Sequence, residues 1–575
     1  MSGRLTVSLG QHTDKGRKQA NQDFHGACIP DEPLLGLKGI CIALADGISS
    51  SGVSHVASES AVKAFVEDYY CTSEAWSVRT SGERVLDATN SWLYSQTRRS
   101  QFRYDQDKGY VCTFSGMVLK SCTAHLFHAG DARIYRLDGG SLEQLTEDHR
   151  LRISDETSYL SRALGVGDRL HVDYRELPVA RGDVFVFATD GIYEHASAQE
   201  IVDAIRAHDG DLDAAARAVV SAAYENGSPD NLTVQLVRVD DLPSGSATEV
   251  VEALSQLPFA PELRPGMAFE GHQIVREIHS SHRSHVYLAI DDDDGAQVAI
   301  KVPSVELRDD PAYLERFLLE EWIARRINNP HVLRARPQTR PRKFAYLVTD
   351  YIEGQTLAQW MRDHPQPDIE TVRQLTEQLA AGLQAFHRQE MLHQDLRPEN
   401  VMIDRLGTVK IIDFGSVRVA GIDEMRGAAQ SPALLGTIQY SAPECLLGEP
   451  GTRQSDVFSL GVIVYQMLSG RLPYGARMSQ ARTREAQRRL TYSSVLDEAR
   501  AIPAWVDDAL AKAVHPDPDR RYAELSELVY DLRHPCEAFV SRTRPPLLAR
   551  DPVAFWKGVS LLLAALVIAL LVLRG

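Results

Sequence analysis

The stretch "VFVFATDG", Val184–Gly191, is an apolar run that ends on an aspartate followed by a glycine. The same ending recurs in "ICIALADG", Ile40–Gly47, while Asp230 opens the run "DNLTVQLVRV" and Asp23 closes "KQANQD". Each of these aspartates stands beside a stretch that reads as a strand, and all four are far apart in sequence. They converge only if the fold brings strand ends together, which is how oxygen-rich sites for Mg²⁺ or Mn²⁺ are built. Glycine directly after Asp46 and Asp190 leaves room for a turn and for a carbonyl or water to reach a metal. One Asp-Gly pair alone predicts no more than a turn. The four together predict a metal site on a β framework.

The chain has 575 residues, 44% of them hydrophobic and 24% charged, enough for two or three domains with substantial cores. Its formal charge of -16 argues against nucleic acid as a partner, because a polyanion needs a concentrated cationic surface. Seven cysteines, with no CxxC pair, read as reduced thiols of a cytoplasmic protein. The polar N-terminus lacks the apolar core of a signal peptide. The uncharged run "GVSLLLAALVIALLVL", Gly558–Leu573, resembles a tail anchor, flanked by Phe555 and Trp556 and by Lys557 and Arg574. With Arg542, Arg544 and Arg550 upstream, it predicts a single-pass anchor in the cytoplasmic membrane, with everything before it in the cytoplasm. Pro, Ser, Gly and Ala are mixed without strand periodicity from about Asp240 to Gly266, which marks a linker.

Over residues 1–240 the chain resembles the type 2C metal-dependent serine/threonine protein phosphatases. The motifs "NQD", "ADG", "GDARIYR", "LTEDH", "LSRALG", "ATDGIYE" and "SPDNLTV" appear in the family's order. The resemblance implies stacked antiparallel β-sheets flanked by helices. It also implies two Mg²⁺ or Mn²⁺ ions held by Asp46, the Gly47 carbonyl, Asp190 and Asp230, with Asp23 on metal-bound water. Asp148 with Glu194 would be the candidates for a third ion, although Glu194 stands where the family has aspartate. Lys18 replaces the family's phosphate-gripping arginine and Arg17 stands next to it, so one of the two would hold substrate phosphate; lysine offers a point charge where arginine offers a fork. "GYVCTFSGMVL" departs from the family's Gly-Thr-Thr stretch.

Residues 266–535 resemble the eukaryotic-like serine/threonine protein kinases, again with the motifs in order: "VAIK", "RFLLEEWIARRINNPHVL", "HQDLRPEN", "IIDFG", "GTIQYSAPE", "SDVFSLG" and "DPDRRY". The resemblance implies a bilobal fold. Lys301 would hold the ATP phosphates and pair with Glu320, or else Glu321; Asp395 would take the substrate hydroxyl proton; Asn400 and Asp413 would hold Mg²⁺. Arg397 replaces the usual lysine of the catalytic loop and keeps its charge, whereas Gln394 replaces an arginine that reads a phosphate on the activation segment. The glycine-rich loop is absent. In "EIHSSHRSHVYLA", Glu277–Ala289, the three glycine positions fall on His279, Ser281 and Ser284, and Ser281 and Ser284 become the candidate phosphate contacts.

The expected architecture is multidomain α+β: a phosphatase β-sandwich (1–240), a linker (241–265), a bilobal kinase (266–535), a basic juxtamembrane linker (536–554) and a C-terminal transmembrane helix (555–573). The expected function is phosphorylation and dephosphorylation of proteins by one membrane-tethered chain, with phosphoproteins and ATP as partners. The alternative is an active phosphatase regulated by a pseudokinase module.

Overall fold

The computed structural model describes residues 4–154, 157–243, 257–307, 310–337, 340, 342–426, 439–497, 502–535, 556–557, 559–560 and 562–563. The chain divides into two compact units. One comprises residues 1–256, 389–391 and 418–431, the other residues 257–388, 392–417 and 432–575.

In the first unit the strands are β1 (Thr6–Asp14), β2 (Phe24–Cys28), β3 (Ile40–Ala45), β4 (Phe114–Lys120), β5 (Thr123–Ala129), β6 (Arg133–Asp138), β7 (Ser141–Gln144), β8 (Arg150–Ser154), β9 (Thr157–Leu160), β10 (Asp173–Pro178), β11 (Val184–Ala188) and β12 (Leu232–Asp241). They form two five-stranded antiparallel sheets, ordered β1-β12-β11-β6-β7 and β10-β5-β4-β3-β2, with β8 and β9 as a separate hairpin. Side chains alternate across each strand. Ile40, Ile42 and Leu44 of β3 meet Phe185 and Phe187 of β11 in the layer between the sheets. Cys41, Ala43 and Ala45 face outward onto α1 (Ser54–Cys71) and α2 (Val78–Arg99). Val184, Val186 and Ala188 likewise face α3 (Ala198–Ala207) and α4 (Leu212–Glu225). The inner strands β3, β4, β5, β11 and β12 are therefore buried on two faces, and that is why β3 and β11 read as unbroken apolar runs. The four aspartates sit just outside the ends of β2, β3, β11 and β12, where the apolar layers stop.

The second unit opens with a five-stranded antiparallel sheet, β13 (Ala268–Phe269), β14 (His272–Ser280), β15 (Ser284–Asp291), β16 (Gln297–Pro303) and β17 (Leu347–Asp350), in that order. Helix α5 (Pro311–Arg326) follows β16, with Asp310 capping it through the Tyr313 N–H. Ala260 and Leu263, which the sequence places in a linker, are buried in this core with Phe269, Val298 and Tyr346. The small sheet β18 (Gly354–Thr356), β19 (Val401–Asp404) and β20 (Val409–Ile411) and the helices α6 (Ile369–Arg388), α7 (Arg453–Ser469), α8 (Ala504–Ala513) and α9 (Leu525–Arg533) form the rest. On α6 the predicted apolar stripe Leu375, Leu379, Leu383 and Phe386 is buried. Helix α7 is buried over nearly all of its length, as a central helix hydrophobic on all sides must be.

The expected C-terminal transmembrane helix requires correction, and with it the single-pass placement in the cytoplasmic membrane. Among the described residues no helix is long and apolar enough to cross a membrane. The run Gly558–Leu573 is shorter than the roughly 20 apolar residues that a spanning helix needs. The basic stretch 536–554 and most of 555–573 lie outside the described residues.

Candidate active sites

The fold of the first unit gathers Asp23, Asp46, Asp190 and Asp230 at one end of the paired sheets. Asp23 is buried; its Oδ2 accepts hydrogen bonds from Thr233 Oγ1 at 2.7 Å and Thr189 Oγ1 at 3.1 Å. Its Oδ1 is buried with no N–H or hydroxyl donor among the described residues, and the Asp46 carboxyl is a close neighbour. Burial raises all three inner carboxyls, and their neighbours add to it. Asp23 is pushed up to about 6. Asp190 is pushed up to about 7, with Asp131 and Asp230 contributing. Asp46 lies well above the carboxylate range, with Asp23 and Asp190 contributing after burial. Among the described residues no three His, Cys, Asp or Glu side chains are gathered closely enough to form a metal cage by themselves. The donor set is nonetheless one of hard oxygens with a shortage of positive charge, which fits a divalent cation completed by a backbone carbonyl and water. Gly47 suits that role, since a Cβ there would lie 2.8 Å from the Gln22 carbonyl oxygen and 2.9 Å from Ser54. At Gly191 a Cβ would lie 2.0 Å from the Asn231 carbonyl oxygen.

Of the two candidate phosphate cations, Lys18 faces the cluster: its Nζ lies 3.2 Å from Asp230 Oδ1 and donates to Ser49 Oγ at 3.1 Å. Arg17 is turned away. Its guanidinium donates to the carbonyls of Ser228 at 2.5 Å and Tyr224 at 3.1 Å and stacks on the Tyr224 ring. Asp148 is gripped by the fork of Arg133, at 2.9 and 2.6 Å, and accepts from Gln144 at 3.0 Å. Glu194 accepts from Arg150 at 2.7 Å. The two candidates for a third ion are thus each paired with a different arginine.

In the second unit Lys301 Nζ donates to both Glu320 oxygens at 2.7 Å and lies 3.4 Å from Asp413 Oδ1, so the pairing is with Glu320. Glu321 binds Arg342 and Arg325 instead. Burial alone would lower the Lys301 ammonium, but Asp413 and Glu320 outweigh it and hold it above its usual range. Burial would raise Asp413, yet Lys301 and the Gly415 N–H hold it below the usual carboxylate range. Asn400 Nδ2 donates to the Asp395 carbonyl at 2.9 Å and to its Oδ2 at 3.3 Å. Arg397 pairs with Glu399 at 2.8 Å. Gln394 has φ of 61°, and its buried Nε2 has no hydrogen-bond partner among the described residues.

The loop without glycine is a closed turn. Ser281 Oγ donates to the Ser284 carbonyl at 3.0 Å and accepts from the N–H groups of Ser284 at 3.1 Å and Arg283 at 3.3 Å. The Arg283 carbonyl accepts from the Ser304 N–H at 2.8 Å and from the Tyr313 hydroxyl. Ser284 is buried, and His279 pairs with Val286 in the β14–β15 ladder. The serine hydroxyl expected to meet a phosphate is thus engaged in holding the turn.

Residues 273–531 match the protein kinase domain family and residues 11–236 match protein phosphatase 2C. The serine/threonine-protein kinase PrkC of Bacillus subtilis (strain 168) is 26% identical over 270 residues, 46% of this chain and 40% of its own length. The serine/threonine-protein kinase drp72 of Corynebacterium efficiens is 33% identical over 254 residues, 43% of this chain and 47% of its own. The chain joins a protein phosphatase 2C domain to a serine/threonine protein kinase domain. It spans less than half the length of these curated relatives. Among solved structures, the catalytic domain of the serine/threonine protein phosphatase PstP in complex with two manganese ions is 23% identical and covers 41% of this chain and 100% of its own, with a TM-score of 0.35.

Three residues around these sites carry no role in the sequence reading. Asp131, inside "GDARIYR", bonds Arg150 beside the carboxylate cluster of the phosphatase domain and adds to the rise at Asp46 and Asp190. Arg150 itself follows "LTEDH" directly. In the kinase domain Asp456, inside "SDVFSLG", is fully buried at the start of α7. It accepts from the backbone N–H groups of His393 and Gln394 at 3.0 Å each and pairs with His387 at 2.8 Å, holding the catalytic loop from below. Asp131 and Asp456 lie inside motifs that mark the two families, and Arg150 directly follows one. Only the folded contacts show what each touches.

Proposed function

We propose that the chain is a bifunctional protein serine/threonine kinase and phosphatase, with the phosphatase on residues 1–240 and the kinase on residues 266–535. The observation that carries the kinase half is the Lys301–Glu320 pair at 2.7 Å with Asp413 beside it, a phosphate-binding arrangement already assembled. In this reading Lys301 binds the ATP phosphates and Asp395, oriented by Asn400, accepts the proton of a serine or threonine hydroxyl. Arg397 adds positive charge near the transferred group, and Asn400 and Asp413 would hold Mg²⁺. The turn at Ser281–Ser284 covers the nucleotide through its backbone.

In the phosphatase half, Asp46, the Gly47 carbonyl, Asp190 and Asp230 would hold the divalent ions, which acidify water and neutralise the phosphoryl oxygens. Lys18 binds the substrate phosphate, and Asp23, with Oδ1 free of N–H donors, is placed to accept a proton from the attacking water. Phosphoserine and phosphothreonine proteins are the substrates. The test is hydrolysis of a phosphothreonine peptide with Mn²⁺ and in excess chelator, alongside transfer of labelled phosphate from ATP to a serine-containing protein. Hydrolysis undiminished in chelator, or absent with Mn²⁺, refutes the phosphatase half. Failure to transfer with any acceptor, the chain itself included, refutes the kinase half.

A further inference from the structure

We propose that Arg150 is a resident cation that takes the place of a third metal ion in the phosphatase site and limits that site to two ions. The proposal rests on the two-ion reading above. Three nitrogens of its guanidinium meet three different carboxylates: Nε binds Asp131, Nη2 donates to Asp190 Oδ2 at 2.7 Å, and Nη1 donates to Glu194 Oε1 at 2.7 Å. Asp131 is buried, and Asp190 and Glu194 flank the short helical turn Asp190–Tyr193. Lys18 pairs with Asp230 instead, so a further cation would be drawn to these three carboxylates.

The two carboxylates expected to build a third site are each held by an arginine. Asp148 has both oxygens in the fork of Arg133, and Glu194 spends its bond on Arg150. An incoming divalent ion would have to break three charge-assisted bonds and leave the guanidinium facing a like charge. A guanidinium keeps its charge at any working pH and cannot be chelated away, which makes it a permanent occupant. Arg150 also fixes the orientation of Asp190, so it acts on the site as a positioning residue.

The test counts bound metal. In the full chain carrying Asp413→Asn, which removes a kinase metal ligand, and without nucleotide, free Mn²⁺ is followed by electron paramagnetic resonance during titration. The parent should bind two Mn²⁺ per chain. Arg150→Ser should bind three, the added ion more weakly than the first two, and Arg150→Lys, which keeps the cation, should return the number to two. Should Arg150→Ser not fold, judged by circular dichroism, Arg150→Gln carries the same expectation of three. Three ions on the parent, or two on both neutral variants, overturns the role of Arg150 and leaves the two-ion reading standing. Fewer than two ions on the parent overturns both.

Discussion

Buried Asp23 neighbours half-buried Asp46, among the described residues neither pairs with a cation, and the behaviour of the phosphatase domain follows from that. The Asp23 carboxyl is raised from 3.8 to about 6, so in chelator the folded domain binds more protons than the unfolded chain between those values. Its stabilising effect is present below the lower value and is lost as pH rises through the upper one. About two pKa units correspond to on the order of 3 kcal/mol. Asp23→Asn keeps an acceptor for Thr189 and Thr233 and should therefore melt above the parent in chelator at pH 7.5. The gap should close toward pH 4 and disappear when Mn²⁺ is saturating. Asp46→Asn should lower phosphopeptide hydrolysis by about 10²–10³-fold or more, with folding retained, as read by initial rates and circular dichroism. The aspartates were legible because an apolar run ending in a carboxylate is a local pattern. Arg150 was not, because the contacts that define it come from Asp131, Asp190 and Glu194, which no spacing links.

At the scale of elements, the turn between β14 and β15 shows what replaces glycine. Ser281 closes it with its own hydroxyl, and the Arg283 carbonyl is tied to Ser304 and Tyr313. Glycine would permit close approach by flexibility; this loop is ordered in advance. Ser281→Ala should lose about 1 kcal/mol of local order, raising amide hydrogen exchange at Arg283 and Ser284 roughly five-fold with α6 and α7 unchanged. Equal exchange in both proteins would mean that the hydroxyl is incidental. Helix α5 and the strand of Lys301 were readable from their motifs, whereas the motifs left its partner open between Glu320 and Glu321 and the fold pairs it with Glu320. The closure of the turn was not readable, because a serine in a loop carries no sign of which backbone groups it will bind. The burial of Ala260 and Leu263 was hidden in the same way by the prolines around them.

At the scale of the whole molecule, the two units have separate cores. In the kinase domain Arg521 donates to both Glu444 oxygens at 2.7 Å, with both side chains nearly inaccessible. Arg521→Ala would leave Glu444 buried and unpaired, costing about 3–5 kcal/mol. Calorimetry should show the kinase transition lowered by about 10 °C and the phosphatase transition in place. A shift of both together would mean that the two units unfold as one. The order of motifs made the pairing of two enzyme domains legible. The terminal apolar run misled because its hydropathy and its aromatic and basic flanks suit a span, although its length falls below the roughly 20 residues that a bilayer prefers. The most direct test of two opposed activities on one chain is incorporation of labelled phosphate from ATP into the purified protein, compared among the parent, Asp46→Asn and Asp46→Asn with Asp395→Asn. Label should accumulate in Asp46→Asn, stay low in the parent, whose phosphatase removes it, and be absent from the double variant. No label in Asp46→Asn, or equal label in the double variant, would contradict a working kinase site at Asp395.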